Sequence, residues 1–484
     1  MAENAQPSVL TSEVSVPVAH NELELELTRY CPIDQLPEDL VQLIFELHLE
    51  ASHHAVWEEG IDDGAPELLT IPFTLSTVSR RWRSLALATP ALWSRFTVIL
   101  TCEWDSDTMA TYAQAMETQL GRTTDYPIRL TMSVDTHVER AVQGVVEAER
   151  LVRLVEILIP RSIELTMTLM QTSGSIPWPP RERVMTSVRE RTGPLQRLRM
   201  IFVEDEPSIE FAHRDEIEFS LSDLAGRTVQ HIALGGFIPV IRSEERWVNL
   251  QEIETHTDNL RLPLSTLRQI LAACSYIHRL KISCQSLSGP IIPEGLSSDT
   301  LAKLEVITDQ VEPEVLEQRF HFCGLQTFEI RFNDTIQYDH YGLASLVTNS
   351  LKASLIRSFC RDAHDIQVLN LKEVDADDVL ADSLLALNLR NLSTLKLRDS
   401  PLRAAFWERL ATALPALTAL KGRDCILIDP EEDEVALKKF VSARRLAKPT
   451  SSSSATTVTH LLTARILVQG SFAFDTVDRQ VIFD

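Results

Sequence analysis

The sequence predicts a mixed α/β protein, a short helical module followed by a parallel sheet of repeated strand units. Three observations predict it. Two runs near the N-terminus carry apolar residues at helical spacing, Leu40, Leu43, Ile44 and Leu47, then Leu75, Val78, Trp82, Leu85 and Ala86. A segment of the form Leu-x-x-Leu-x-Leu recurs from Leu195 to Leu420. Hydrophobic residues make up 44% of 484 positions, enough for a sizeable core rather than general disorder.

The elements follow in chain order. Residues 1–31 read as a mobile tail; Leu23, Leu25 and Leu27 alternate with acids, which suits a short strand or helix. Residues 32–95 read as the helical module. Pro37 suits a first helical position, where its missing N–H has no partner to lose. Glu38 and Asp39 then sit at the positive end of the helix dipole. The second run carries Arg80, Arg81 and Arg83 on its other faces, is stopped by Pro90, and is followed by Leu92-Trp93.

These residues resemble the F-box domain. The matching positions are Leu36-Pro37, Leu40, Ile44-Phe45, Leu75, Val78, Arg80-Arg81-Trp82, Leu85 and Pro90-Ala91-Leu92-Trp93. The similarity is closest to the F-box-like proteins abundant in fungi, with Pro-Ile-x-x-Leu-Pro at residues 32–37 and Arg-Arg-Trp-Arg at residues 80–83. It covers about an eighth of the chain. Two departures stand out. Ser79 occupies a position where that family commonly has cysteine, and the long acidic segment 51–71 implies an expanded loop or helix. An ordinary helical pair in a core is the competing reading.

Residues 96–194 read as a strand-helix region leading into the repeats. Met109, Tyr112, Ala113, Met116 and Leu120 mark a helix closed by Gly121. Ile128, Leu130, Met132 and Val134 mark a strand, residues 138–158 a helix, and Ile163, Leu165, Met167 and Leu169 a second strand.

Nine copies of the repeat follow over residues 195–428. They are Leu195-Leu198-Met200, Val229-Ile232-Leu234, Leu250-Ile253-Thr255, Ile277-Leu280-Ile282, Leu301-Leu304-Val306, Leu325-Phe328-Ile330, Ile366-Leu369-Leu371, Leu392-Leu395-Leu397 and Leu417-Leu420. From Val229 the starts fall 21, 27, 24, 24, 41, 26 and 25 residues apart. Leucine-rich repeats run at roughly 20–29 residues, so the pattern is that of an irregular leucine-rich-repeat solenoid with one parallel sheet. Each unit buries its apolar strand face only by stacking on its neighbours. An insertion, residues 334–364, accounts for the longest gap and looks partly helical. Asn333 and Cys425, with Asp258, Asp309 and Ser400, occupy the position where such repeats place a side chain that satisfies the bending backbone. An α/β domain with unrelated Leu-rich strands is the competing reading. Residues 429–484 read as an acidic helix from Glu431 to about Leu446, a Ser-rich linker, and an apolar terminal helix or strand over 461–483 that caps or folds back.

Composition excludes several classes. The net charge of −23 opposes binding to nucleic-acid phosphates and anionic lipid. Seven scattered cysteines argue against a disulfide framework, and the polar N-terminal stretch carries no secretory signal. No run approaches the roughly 18 apolar residues of a membrane helix, so a cytoplasmic or nuclear location with reduced thiols is expected.

The chain carries no phosphate loop, dinucleotide turn, nucleophile elbow, Cys-x-x-Cys or His-Glu-x-x-His. Cys274, His278 and Cys284 lie close in sequence, with buried thiols the expected outcome and no metal site. His53-His54 is expected to be solvated. Asp375, Asp377, Asp378 and Asp382 lack calcium-loop spacing and suit a charged inter-repeat helix. Trp178 either packs a loop or anchors a partner.

The resemblance implies a partner and no reaction: no catalytic residue and no cofactor. In the F-box family the module docks on a Skp-type adaptor held by a cullin scaffold, and the rest of the chain captures a target. The residues this assigns to adaptor binding are Leu36, Pro37, Leu40, Leu43, Ile44, Phe45, Val78, Trp82 and Leu85, with Trp82 and Leu85 bracing the module. The unknown target falls to the solenoid, and the acidic balance predicts that it presents basic residues to Asp375–Asp382 or Glu431–Glu434. Apart from that complex the chain is expected to be monomeric. A ubiquitin-independent repeat scaffold and, in another class, an enzyme with an unrecognised site are the alternatives.

Overall fold

The computed structural model describes residues 36–59, 65–100, 105–135, 145–171, 183–184, 186–188, 193–204, 218–220, 228–241, 246–333, 349–410, 414–446, 463–472 and 475–483. Within them the protein is a mixed α/β structure with a large, mainly parallel sheet. The chain divides into two compact units, residues 1–94 with 118–126, and residues 95–117 with 127–484.

The first unit is helical: Glu38–Glu59, Ala65–Val78, Arg80–Ala88 and Pro90–Trp93. The acidic segment expected to expand a loop or helix mostly lengthens the first two of these helices. Ser79 caps the third helix, its side-chain oxygen accepting from the Trp82 N–H at 3.1 Å. Here a serine does a job that a cysteine does poorly, because the hydroxyl is the better acceptor for an orphan helix N–H. Val41, Phe45, Leu49, Leu75, Trp82, Leu85, Ala86, Leu92 and Trp93 form the core, with Leu36, Ile71 and Phe73 packed against it. Phe45 meets Trp82 edge to face at 4.9 Å, and the Arg122 guanidinium lies 4.2 Å over the Trp93 ring.

The second unit is organised by the repeat. Twelve strands run side by side and parallel in sequence order. They begin with Arg95–Leu100, Ile128–Asp135, Ser162–Gln171 and Arg197–Glu204, and continue with His231–Gly235, Glu252–Pro263, Arg279–Ser288 and Lys303–Val311. The last four are Thr327–Phe332, Val368–Lys372, Thr394–Arg398 and Ala419–Leu427. The register aligns one apolar position through all of them: Phe96, Leu130, Leu165, Leu198, Ile232, Ile253, Leu280, Leu304, Phe328, Leu369, Leu395 and Leu420. Every one of these side chains is buried. The period of two along each strand puts the next apolar residue on the same side, so the third position of each copy forms a parallel row.

The backbone repeats with equal regularity. His231, Glu252, Arg279, Lys303, Thr327, Val368, Thr394 and Ala419 donate to carbonyls of the preceding unit at 2.9–3.1 Å. In each case the residue just before the donor shares that same carbonyl. One entry turn is thus rebuilt in eight successive units, whatever the length of the connection between them.

The nine expected strand segments all fall in this sheet, and so do the strands expected at 128–134 and 163–169. Three corrections follow. Arg95–Leu100 is a sheet strand, and the sheet begins a hundred residues before the first copy at Leu195. The helix expected to close at Gly121 runs from Ser106 to Thr123, and the left-handed residue is Thr124, φ 49°. The helix expected at 138–158 is described as Val145–Arg161. In the insertion, Asn349–Cys360 is helical. This helix, Asp378–Ala386, Ala404–Leu410 and Pro430–Leu446 pack in succession. The terminal segment resolves to strand: Thr463–Phe472 adds parallel to Ala419–Leu427 and turns back, antiparallel, as Asp475–Phe483. No described helix is long and apolar enough to cross a membrane.

Candidate docking surfaces

In the first unit the helix Glu38–Glu59 carries apolar residues on two faces. Val41, Phe45 and Leu49, at i, i+4 and i+8, point into the core. Leu40, Leu43, Ile44 and Leu47 stay 46%, 48%, 38% and 56% exposed. Four large aliphatic side chains therefore form a stripe along the opposite side, with Val78 and Leu87 also exposed in the same unit. Scattered exposed leucines are normal, but four at consecutive helical positions make a surface that water covers poorly.

The nine residues expected to contact an adaptor are thus divided. Leu40, Leu43, Ile44, Val78 and Pro37 are exposed. Leu36 is half-buried against the core and its carbonyl accepts from the Arg81 guanidinium. Phe45 is a correction: it is fully buried, because it lies one residue off the exposed stripe and pairs with Trp82. Trp82 and Leu85 are buried in the same cluster, in the bracing position expected for them.

In the second unit the face of the sheet opposite the apolar rows carries charge. Its central strands are laced by ion pairs. Glu252 meets His231 at 2.8 Å and Arg279 at 2.5 Å; Glu254 lies 3.4 Å from His256 and 3.7 Å from Arg279. Glu305 stands within 3.9 Å of Arg279 and 3.8 Å of both Lys281 and Lys303. The Glu254 carboxyl is held down to about 2, chiefly by its hydrogen bond with His256, then by the fields of Lys281 and Arg279. A carboxylate so firmly ionised suits an ion pair and not proton transfer near neutrality.

Toward the C-terminal end the same face changes character. The third outward position of successive strands is Arg331, Lys372, Arg398 and Arg423, aligned by register. One position back, Lys396 stands beside Lys421. Acids at the strand ends answer part of this charge: Arg331–Glu373 at 3.4 Å, Lys372–Asp399 at 3.3 Å and Arg423–Asp424 at 3.1 Å. Glu373, Asp399 and Asp424 occupy equivalent left-handed positions, φ 60°, 47° and 56°. Aspartate tolerates that conformation better than most residues. Sequence reasoning missed this cation row. The signal was present, a Lys or Arg directly after the third apolar residue of the repeat, as in Ile330-Arg331, Leu371-Lys372 and Leu397-Arg398.

Several of the acidic candidates for a basic target are engaged within the fold, while Glu431 and Glu432 are exposed. Asp377 caps its helix by accepting from the Leu380 N–H at 2.9 Å, and Asp382 and Asp378 both meet Arg409. Asp433 is buried and accepts from the Ala404 N–H at 2.6 Å and the Asp429 N–H at 2.7 Å, while Glu434 pairs with Lys438. Cys274 and Cys284 are buried thiols, and His278 Nδ1 lies 3.2 Å from the Thr300 carbonyl. Cys425 and Ser400 reach backbone carbonyls at 3.5 Å and 2.7 Å, the role expected of them, whereas the buried Asn333 side-chain oxygen has no partner among the described residues. The side chains of His53 and His54, and Trp178 altogether, lie outside the described residues.

No protein-family model and no curated protein matches the chain. Among solved structures, one from Bacteroides fragilis is similar over 49% of this chain and 69% of its own, at 12% identity and a TM-score of 0.30. Likeness of that extent carries no argument about fold or function.

Proposed function

We propose that this chain is a substrate-recognition subunit of an SCF-type ubiquitin ligase, an F-box-like module joined to a leucine-rich-repeat solenoid. The first unit docks on a Skp-type adaptor, and through it a cullin scaffold. The sheet of the second unit captures a target protein. The chain itself makes and breaks no bond, needs no cofactor, and works in the cytoplasm or nucleus. The observation that carries the reading is the helix Glu38–Glu59, whose apolar residues divide into a core set and an exposed set. An uncovered aliphatic stripe on a small helical unit calls for a partner with an apolar groove. The leucine-rich period of the second unit supports the other half, since such arrays present a long face to a protein ligand.

The test is co-purification with a Skp-type adaptor of the full chain and of a Leu40→Asp, Ile44→Asp variant. Retention by wild type and loss in the variant, with helical content unchanged, is the expected result. Adaptor binding at wild-type level by the variant removes the interface. No adaptor binding by either leaves a ubiquitin-independent repeat scaffold as the reading.

A further inference from the structure

We propose that the charged face of the last repeats binds an acidic, extended segment of a partner protein, seated on Lys396, Arg398 and Lys421. The proposal rests on the reading that the sheet captures the target, and names the chemistry of what it takes.

The register is the first argument. Arg331, Lys372, Arg398 and Arg423 are direct neighbours across four adjacent strands, and Lys396 is the neighbour of Lys421. Like charges directly opposite one another destabilise a sheet. In the central strands opposite charges pair, Glu252 with Arg279, and Glu254 with Lys281 with Glu305, and where cations do meet, as Arg279 and Lys303, Glu305 lies within 3.9 Å of both. Among the described residues, Lys396 and Lys421 have no such shared carboxylate between them, so an anionic ligand supplies a reason for the arrangement.

The second argument is the state of the charges. Strand-end acids reach Arg331, Lys372 and Arg423. Among the described residues, no carboxylate pairs with Lys396, Arg398 or Lys421, and Arg398 and Lys421 are exposed. The outward row beside them is short, Thr327, Val368, Thr394 and Ala419, so a peptide backbone has room to approach.

Spacing selects the occupant. Lys396 and Arg398 stand two residues apart on one strand, roughly 7 Å, which is also the separation of alternate side chains in an extended peptide. Carboxylates at every second residue therefore meet both cations in charge-assisted hydrogen bonds. Nucleic acid fits less well. A polyphosphate that extends past the patch along the strands or toward the preceding repeats meets Glu329, Glu373, Asp399 and Asp424, in a chain of net charge −23.

The experiment uses the full chain and a fluorescein-labelled peptide of alternating Ser and Asp, followed by anisotropy across a salt series. Wild type is expected to bind it, more weakly as salt rises, and not to bind an alternating Ser-Lys peptide. A Lys396→Gln, Arg398→Gln, Lys421→Gln variant is expected to bind at least about tenfold more weakly. The corresponding triple Glu variant should abolish binding; if it fails to fold by circular dichroism, the Gln variant decides. No binding by wild type at low salt, or equal affinity in the Gln variant, overturns the proposal. So does tighter binding of a single-stranded oligonucleotide of equal charge. The Leu40→Asp, Ile44→Asp variant is expected to keep the peptide affinity unchanged. Loss of adaptor binding and loss of peptide binding therefore report on separate readings.

Discussion

Phe45 and Leu43 lie two residues apart on one helix and should respond very differently to truncation. Phe45 is wholly buried and meets Trp82 edge to face at 4.9 Å. Removing such a ring leaves a cavity and costs about 3–5 kcal/mol. Leu43 is 48% exposed, so truncation forfeits at most about half of the roughly 1.5–3 kcal/mol that full burial supplies. The higher helix propensity of alanine offsets part of that loss. The expected contrast is therefore about 3 kcal/mol, a large share of the roughly 5–15 kcal/mol by which domains are stable. Urea unfolding of the full-length Phe45→Ala and Leu43→Ala proteins, followed by tryptophan fluorescence and far-ultraviolet circular dichroism, measures it. Phe45→Ala should lower the first unit's transition strongly while Leu43→Ala barely moves it. Equal losses, or a neutral Phe45→Ala, would refute the division of this helix into a core face and a free face.

Thiol reactivity should follow burial. Desolvation pushes Cys274 and Cys425 up to about 12 and Cys360 higher still, whereas Cys323 is exposed. Iodoacetamide labelling of native protein at mildly alkaline pH, mapped by mass spectrometry, should modify Cys323 and spare those three until denaturant is added. Labelling of Cys360 as fast as Cys323 would contradict the buried core. Glu254 gives a pH signature: its carboxyl titrates near 2 in the folded chain against 4.5 ordinarily, so its stabilising effect is complete above about 4.5 and is lost as pH falls toward 2. Glu254→Gln should be less stable than wild type at pH 6, and the gap should narrow in urea melts as pH drops to about 3. A gap independent of pH would show that the ion-pair network around Glu254 is not what holds it.

Much of the sheet was legible in the sequence because an apolar strand position repeated at near-constant spacing leaves little freedom. Leu280, Leu304 and Leu395 had to lie in register once the strands were parallel and stacked. The N-terminal strands were less legible. Phe96 and Val98 follow the helical block after a single turn, and Leu130 and Leu165 lack the leading apolar residue of the motif. Their membership of the same sheet is settled by pairing, a non-local property that no local pattern announces. In the first unit, periodicity located the helix but could not say which apolar residues it buries. Leu40, Ile44 and Leu47 satisfy the helical rule as well as Val41, Phe45 and Leu49 do. Only the position of Trp82 and Leu75 decides which set turns inward.

Charge shows the same difference between summed and arranged properties. A net charge of −23 suggests a basic target, and of the acids expected to receive it Asp377, Asp382 and Asp433 cap helices or pair within the fold while Glu431 and Glu432 stay exposed. Net charge is an average over every face and governs long-range steering. Recognition at contact distance depends on the few side chains that one face gathers. In a parallel array of this kind each strand contributes one residue to each row, so a single Lys or Arg retained at one repeat position becomes a continuous line of cations. Arg331, Lys372, Arg398 and Arg423 form such a line over four strands while the chain as a whole stays acidic. The arrangement has a kinetic consequence. The acidic surround repels a polyanion at long range, and only a short acidic segment, carried on a partner that is not itself strongly acidic, reaches the row without crossing a repulsive barrier.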